Sequence, residues 1–177
     1  FEFNFPTNYP LQPPIVTYYT NDGKTRFNPN LYRNGKVCVS LLNTWKGEQW
    51  TSCQTIRSIL MTLVTLFHND PIVNEPGFKA SDPEAPIYNK IIEYKNFEVA
   101  IIGMLTKKYL PDKFIGFFPI YRDYFLEHRE KIKNKLSSFK DNKAKNVSCR
   151  LYSMSCHINY KELYDIFMDE CYNKFSK

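Results

Sequence analysis

A chain of 177 residues is long enough for one well-cored domain, or for one domain and a helical extension. Hydrophobic residues make up 43% and aromatics 16%, which excludes disorder over the whole length. The net charge of +6 permits an acidic partner, but the basic residues scatter and are densest only from Arg129 to Lys145. No aromatic platform is interleaved with them, so the charge reads as a solvated surface rather than a nucleic-acid module.

The five cysteines, at 38, 53, 149, 156 and 171, are odd in number and form no CxxC pair, which argues against a disulfide framework and a zinc site. His68, His128 and His157 stand far apart, and His157 beside Cys156 reads as an ordinary packed pair. No metal or organic cofactor is expected. No apolar run approaches transmembrane length and no signal peptide opens the chain, so the expected setting is the reducing cytoplasm, with no membrane partner.

Phe1 to Phe5 alternates apolar and polar residues and predicts a strand with one buried face. Pro6, Pro10, Pro13 and Pro14 then enforce an irregular segment, with Tyr9 and Leu11 expected to turn inward. Ile15 to Tyr19 is the next strand, closed by the turn signal Asn21-Asp22-Gly23. From Phe27 to Leu42 the chain is turn-rich and then apolar, with Asn34-Gly35 a strong turn and Lys36 to Leu42 extended or irregular.

Thr51 to Phe67 predicts a helix, capped by a Thr51/Gln54 box, with Ile56, Ile59, Leu60, Leu63 and Phe67 on one apolar face. Asn69 to Gly77 is a loop, and Asp82-Pro83 opens a second helix carrying Ile87, Ile91, Ile92, Val99, Ile102 and Leu105. A third helix from about Asp112 is expected to bend at Pro119. Ser137 to Val147 reads as a linker, and a last helix runs from about Asn159 to Phe175. Strands first and helices afterwards make the fold class α+β.

Free cysteine is among the most buried residue types, so Cys38 in an apolar run reads, taken alone, as structural. Its surroundings change the weighting, because it follows two turns in a segment too irregular for a plain core strand. The other four cysteines lack such surroundings and read as structural, and Tyr32, Trp45 and Trp50 read as packing residues.

The run FPTNYPLQPPIV (Phe5 to Val16) resembles the strand-and-proline segment of ubiquitin-conjugating enzymes. Asn28-Pro29-Asn30 resembles that family's His-Pro-Asn tripeptide, and Cys38 follows Asn30 at the family's spacing. Trp45 and Trp50 lie downstream as expected, and Asn69-Asp70-Pro71-Ile72-Val73 is similar to the family's acidic loop. FNPNLYRNGKVCVSLLNTW and NEPGF look like the large hybrid conjugating-enzyme/ligase branch of giant inhibitor-of-apoptosis type, in which Asn commonly replaces that His.

The resemblance covers Phe1 to about Leu105 and implies a conjugating core over 1–110, with a helical extension over 111–177. It implies that Cys38 takes ubiquitin as a thioester from the activating enzyme and passes it to substrate lysines, alone or with a ligase. Asn30 would stabilise the oxyanion, or brace its turn, and Asp70 would orient or deprotonate the lysine, or cap the loop before Pro71. Against the family pattern the chain begins at the third strand, and residues ahead of Phe1 are expected to supply the first helix and two strands. A non-catalytic ubiquitin-binding variant of the same fold is the alternative.

Overall fold

The computed structural model describes residues 1–175. The first strand, β1 (Glu2–Asn4), pairs antiparallel with β2 (Ile15–Thr17), so that Glu2 lies opposite Thr17 and Asn4 opposite Ile15. The prolines between them keep the connection irregular, and Leu11 points outward at 76% exposure instead of turning inward as expected. Single bridges extend the pairing beyond β2: Thr17 opposite Lys36, and Leu31 opposite Val37. Gly35 makes this possible. It has φ of +87°, and a Cβ there would stand 2.8 Å from the Tyr18 carbonyl oxygen.

Helix α1 spans Ile56–Thr65 and is capped by Thr55, whose hydroxyl and backbone exchange hydrogen bonds with Ser58. The capping box therefore sits four residues later than Thr51/Gln54 predicts; Thr51 and Gln54 instead close a turn through their backbones at 2.9 Å. Only Ile59 and Leu63 of the helix are buried. Ile56, Leu60, Met61, Val64 and the following Phe67 are exposed, so the apolar face read from the periodicity is buried only at Ile59 and Leu63.

Two compact units divide the chain at Asn89/Lys90, within helix α2 (Ala85–Lys95). The first is built on Val16, Leu31, Val37, Cys38, Ile59, Leu63, Ile72 and Tyr88. In the second, α2 continues as a π-helical stretch over Asn96–Gly103. Helix α3 spans Phe118–Ser137, with Pro119 in its first turn, where a missing N–H costs nothing, rather than at a bend.

The expected linker is partly strand: β3 (Lys145–Cys149) and β4 (Met154–Ile158) form an antiparallel hairpin. Cys149 and Cys156 are buried on its inner side, whereas His157 is exposed and bonds Asn146, so Cys156 and His157 are not a packed pair. Asn159 caps the closing helix α4 (Tyr160–Phe167). Small antiparallel sheets combined with helices make the chain α+β, as its sequence predicts. Among the described residues no helix is long and apolar enough to cross a membrane.

Candidate active site

Asn28, Pro29 and Asn30 form a tight turn held from inside by the Asn28 side chain, which is 2% exposed. Its amide donates to the Leu66 carbonyl at 2.8 Å, and its side-chain oxygen accepts the Asn30 backbone N–H at 2.9 Å. A short polar side chain that bonds its own backbone two residues on is the reason Asn favours such turns. Arg26 supports the turn from its other end, donating to the Pro29 carbonyl at 2.5 Å with its guanidinium 3.4 Å from the centre of the Tyr32 ring.

This turn delivers Asn30 to Cys38. The Cys38 N–H donates to the Asn30 carbonyl at 2.8 Å, and the Asn30 side-chain amide donates to the Cys38 carbonyl at 2.6 Å. The Asn30 side-chain oxygen is buried and makes no hydrogen bond among the described residues. Cys38 is 2% exposed, and its Sγ–H donates to the Thr44 carbonyl at 2.9 Å. No disulfide joins any of the five cysteines, and Cys53, read as structural, is exposed.

Asp70 lies on a different loop, immediately before a short 3₁₀ turn over Pro71–Asn74. Its carboxylate accepts from the Asn89 amide at 3.2 Å and its backbone N–H donates to His68 Nδ1 at 3.3 Å. Neither Cys38 nor Asn30 is among its hydrogen-bond partners. The two loops are nevertheless tied together, because Asn74 donates both to the Asn28 side-chain oxygen at 3.3 Å and to the Leu66 carbonyl at 3.1 Å.

The structure therefore brings together Asn30 and Cys38 and leaves Asp70 one connection away, where the sequence reading expects all three near one site. Thr44, Asn74 and Asn89 are not among its site residues, although Thr44 and Asn74 lie within the runs FNPNLYRNGKVCVSLLNTW and NEPGF; Asn89, inside a helical period, carries no such signal. Trp50 is buried and its indole donates to the Pro10 carbonyl at 2.7 Å, which fits a packing role. Trp45 does not, for it is 42% exposed. Among the described residues no group of three His, Cys, Asp or Glu side chains is disposed to hold a metal ion.

The ubiquitin-conjugating enzyme family model matches residues 1–98, which include the whole Asn28–Cys38 turn and the Asp70 loop. The chain belongs to the ubiquitin-conjugating enzyme family. It is 41% identical over 111 residues to the human ubiquitin-conjugating enzyme E2 Z, a match covering 61% of this chain and 31% of that protein. It is 40% identical over 120 residues to the probable ubiquitin-conjugating enzyme protein 17 of Caenorhabditis elegans, covering 60% of this chain and 16% of the relative. Over 91 residues it is 47% identical to the human dual E2 ubiquitin-conjugating enzyme/E3 ubiquitin-protein ligase BIRC6, covering 46% of this chain and 2% of that protein. The chain thus spans a third or less of the length of these relatives.

Proposed function

We propose that this chain carries ubiquitin as a thioester on Cys38 and transfers it to lysine side chains of protein substrates. Its partners on this reading are ubiquitin, an activating enzyme, protein substrates and, where transfer needs one, a ligase. Cys38 Sγ displaces the activating enzyme's thiol from the ubiquitin C-terminus, and a lysine amine then attacks the new thioester. The attack builds a tetrahedral intermediate with a negatively charged oxygen, and the Asn30 amide is the donor that would meet it. An amide nitrogen carries two N–H groups, so donation to the Cys38 carbonyl leaves a second one for the oxyanion. Asp70 orients the incoming lysine or takes its proton, and Asn89 and His68 steady its loop.

The paired hydrogen bonds between Asn30 and Cys38 carry this reading, because they set the amide beside the backbone of the nucleophile. The burial of Cys38 favours a second reading, a non-catalytic ubiquitin-binding relative of the same fold. Incubation with activating enzyme, ATP and ubiquitin, resolved on a non-reducing gel, separates the two. The first reading expects a thiol-sensitive adduct on the wild type and none on Cys38→Ala; an adduct that persists in Cys38→Ala overturns it.

A further inference from the structure

The thiol proposed as nucleophile is hydrogen-bonded by one short segment. After Cys38 the chain makes a 3₁₀ turn over Ser40–Leu42, and Asn43 reverses it from a left-handed conformation, φ of 56°. Thr44 is thereby laid back alongside Val37–Val39. Its hydroxyl donates to the Val37 carbonyl at 2.9 Å or the Val39 carbonyl at 3.1 Å, and accepts the Val39 N–H at 3.0 Å. Its own carbonyl is the acceptor for Cys38 Sγ. One residue thus grips the backbone on both sides of Cys38 and holds its thiol proton.

The segment continues as a tethered loop. Asn43 Oδ1 accepts the Trp50 N–H at 2.9 Å, and the Trp50 indole is anchored on Pro10, so both ends are fixed while residues 45–49 are exposed. Gly47 presses the loop onto Ser40: its φ is +135°, and a Cβ there would stand 3.0 Å from the Ser40 Cβ.

A nucleophile must come within about 3–3.5 Å of the carbon it attacks. Cys38 at 2% exposure, with its S–H turned into the Thr44 carbonyl, offers no such approach. We propose that Thr44 is a positioning residue that holds Cys38 masked, and that the Thr44–Gln49 loop must lift from Cys38 before the ubiquitin tail reaches the sulfur. The proposal rests on Cys38 being the acceptor of ubiquitin.

Alkylation tests it without any partner protein. In a Cys53→Ser background, the full chain is treated with N-ethylmaleimide and labelling of Cys38 is followed by peptide mass spectrometry. Thr44→Val keeps the side chain's shape and deletes the hydroxyl, and should raise the Cys38 labelling rate on the order of tenfold, the scale of one lost hydrogen bond. Thr44→Ser should restore the slow rate. Gly47→Ala, which pushes the loop off Ser40 without touching Thr44, should also accelerate labelling, and it serves as the test if Thr44→Val fails to fold. The proposal is overturned if Cys38 labels equally fast in wild type and Thr44→Val. It is overturned too if Thr44→Ser behaves as Thr44→Val does, or if buried Cys149, Cys156 and Cys171 accelerate in parallel. Absence of charging by the activating enzyme would sink the thioester reading while leaving the labelling rates to judge the mask. Unchanged labelling with normal charging would sink the mask alone.

Discussion

Asn30 and Cys38 hold each other by two hydrogen bonds, backbone to backbone at 2.8 Å and side chain to backbone at 2.6 Å. The second makes the Asn30 amide a brace before any chemistry begins, and the two roles proposed for this residue become separable by magnitude. In Asn30→Ala the Cys38 carbonyl loses a donor, but a buried side-chain oxygen with no hydrogen bond of its own is removed too. The net stability loss should be about 1 kcal/mol, whereas loss of an oxyanion donor should slow discharge onto lysine by about 10²–10³. Loading should change far less than discharge. Comparable mild losses in both steps, with a large drop in melting temperature, would leave Asn30 only its bracing role.

Asp70→Asn keeps an oxygen for the Asn89 amide while removing the charge. Loading should be unaffected and discharge onto free lysine slowed by about a hundredfold near neutral pH. The deficit should shrink as pH rises toward the lysine pKa, because the amine then needs no help to lose its proton. A deficit that is constant from pH 7 to pH 10 would rule out the proton role.

Asn28 belongs to stability rather than chemistry. Asn28→Ala removes the donor to Leu66 and the acceptor for Asn30 and Asn74 inside a site that water barely reaches. Leaving those groups underbonded should cost about 2–3 kcal/mol in a urea titration. Folded Asn28→Ala protein should still load ubiquitin at a rate within several-fold of wild type. Wild-type stability in the variant would show that the turn does not depend on this side chain.

Alkali should weaken the second unit. Burial pushes the Cys171 thiol up to about 12, helped by the nearby Glu170 charge, and pushes the Tyr94 phenol up to about 12. An unfolded cysteine releases its proton near 9.0 and an unfolded tyrosine near 10.0. The folded state therefore holds the extra protons, and their stabilisation is complete below pH 9. Above that it drains away as pH climbs to 12, at up to about 1.4 kcal/mol per pH unit for each group. Cys171→Val should make the fall between pH 10 and pH 12 shallower by about one proton in pH-dependent urea melts. An identical slope would contradict the assignment.

The legible parts of this chain are those where local signals agree. Asn30 and Cys38 are legible because the Asn-Pro-Asn tripeptide and the cysteine that follows it resemble a family pattern, and the turn alone brings them together. Helix α1 was found from its apolar period, but its start was misread because Thr51 and Thr55 both have cap chemistry. The backbone settles on Thr55, the last such residue before an unbroken helical run, and spends Thr51 on a turn. The β3–β4 hairpin was illegible for a different reason. Its first strand, KNVSC, shows alternation only if Cys149 counts as apolar, and its turn places Tyr152 and Ser153 at positive φ with no Asn-Gly or Asp-Gly signal. The partner of the Asp70 carboxylate is out of reach of a local reading because Asn89 lies 19 residues away on another element.

Asn28 and Asn74 both donate to the Leu66 carbonyl, and Asn74 leans on Asn28 as well. In evolutionary terms they should behave as a single character spread over two positions 46 residues apart. A neutral imidazole at position 28 would supply one donor and one acceptor where the amide supplies two donors and a two-lone-pair oxygen. A lineage carrying His there has no such oxygen for Asn74 to lean on and is released from keeping it. A lineage carrying Asn is bound to both, so drift at the head of the tripeptide should be mirrored at the far loop, recorded as covariation between two residues neither of which accepts the thiol proton.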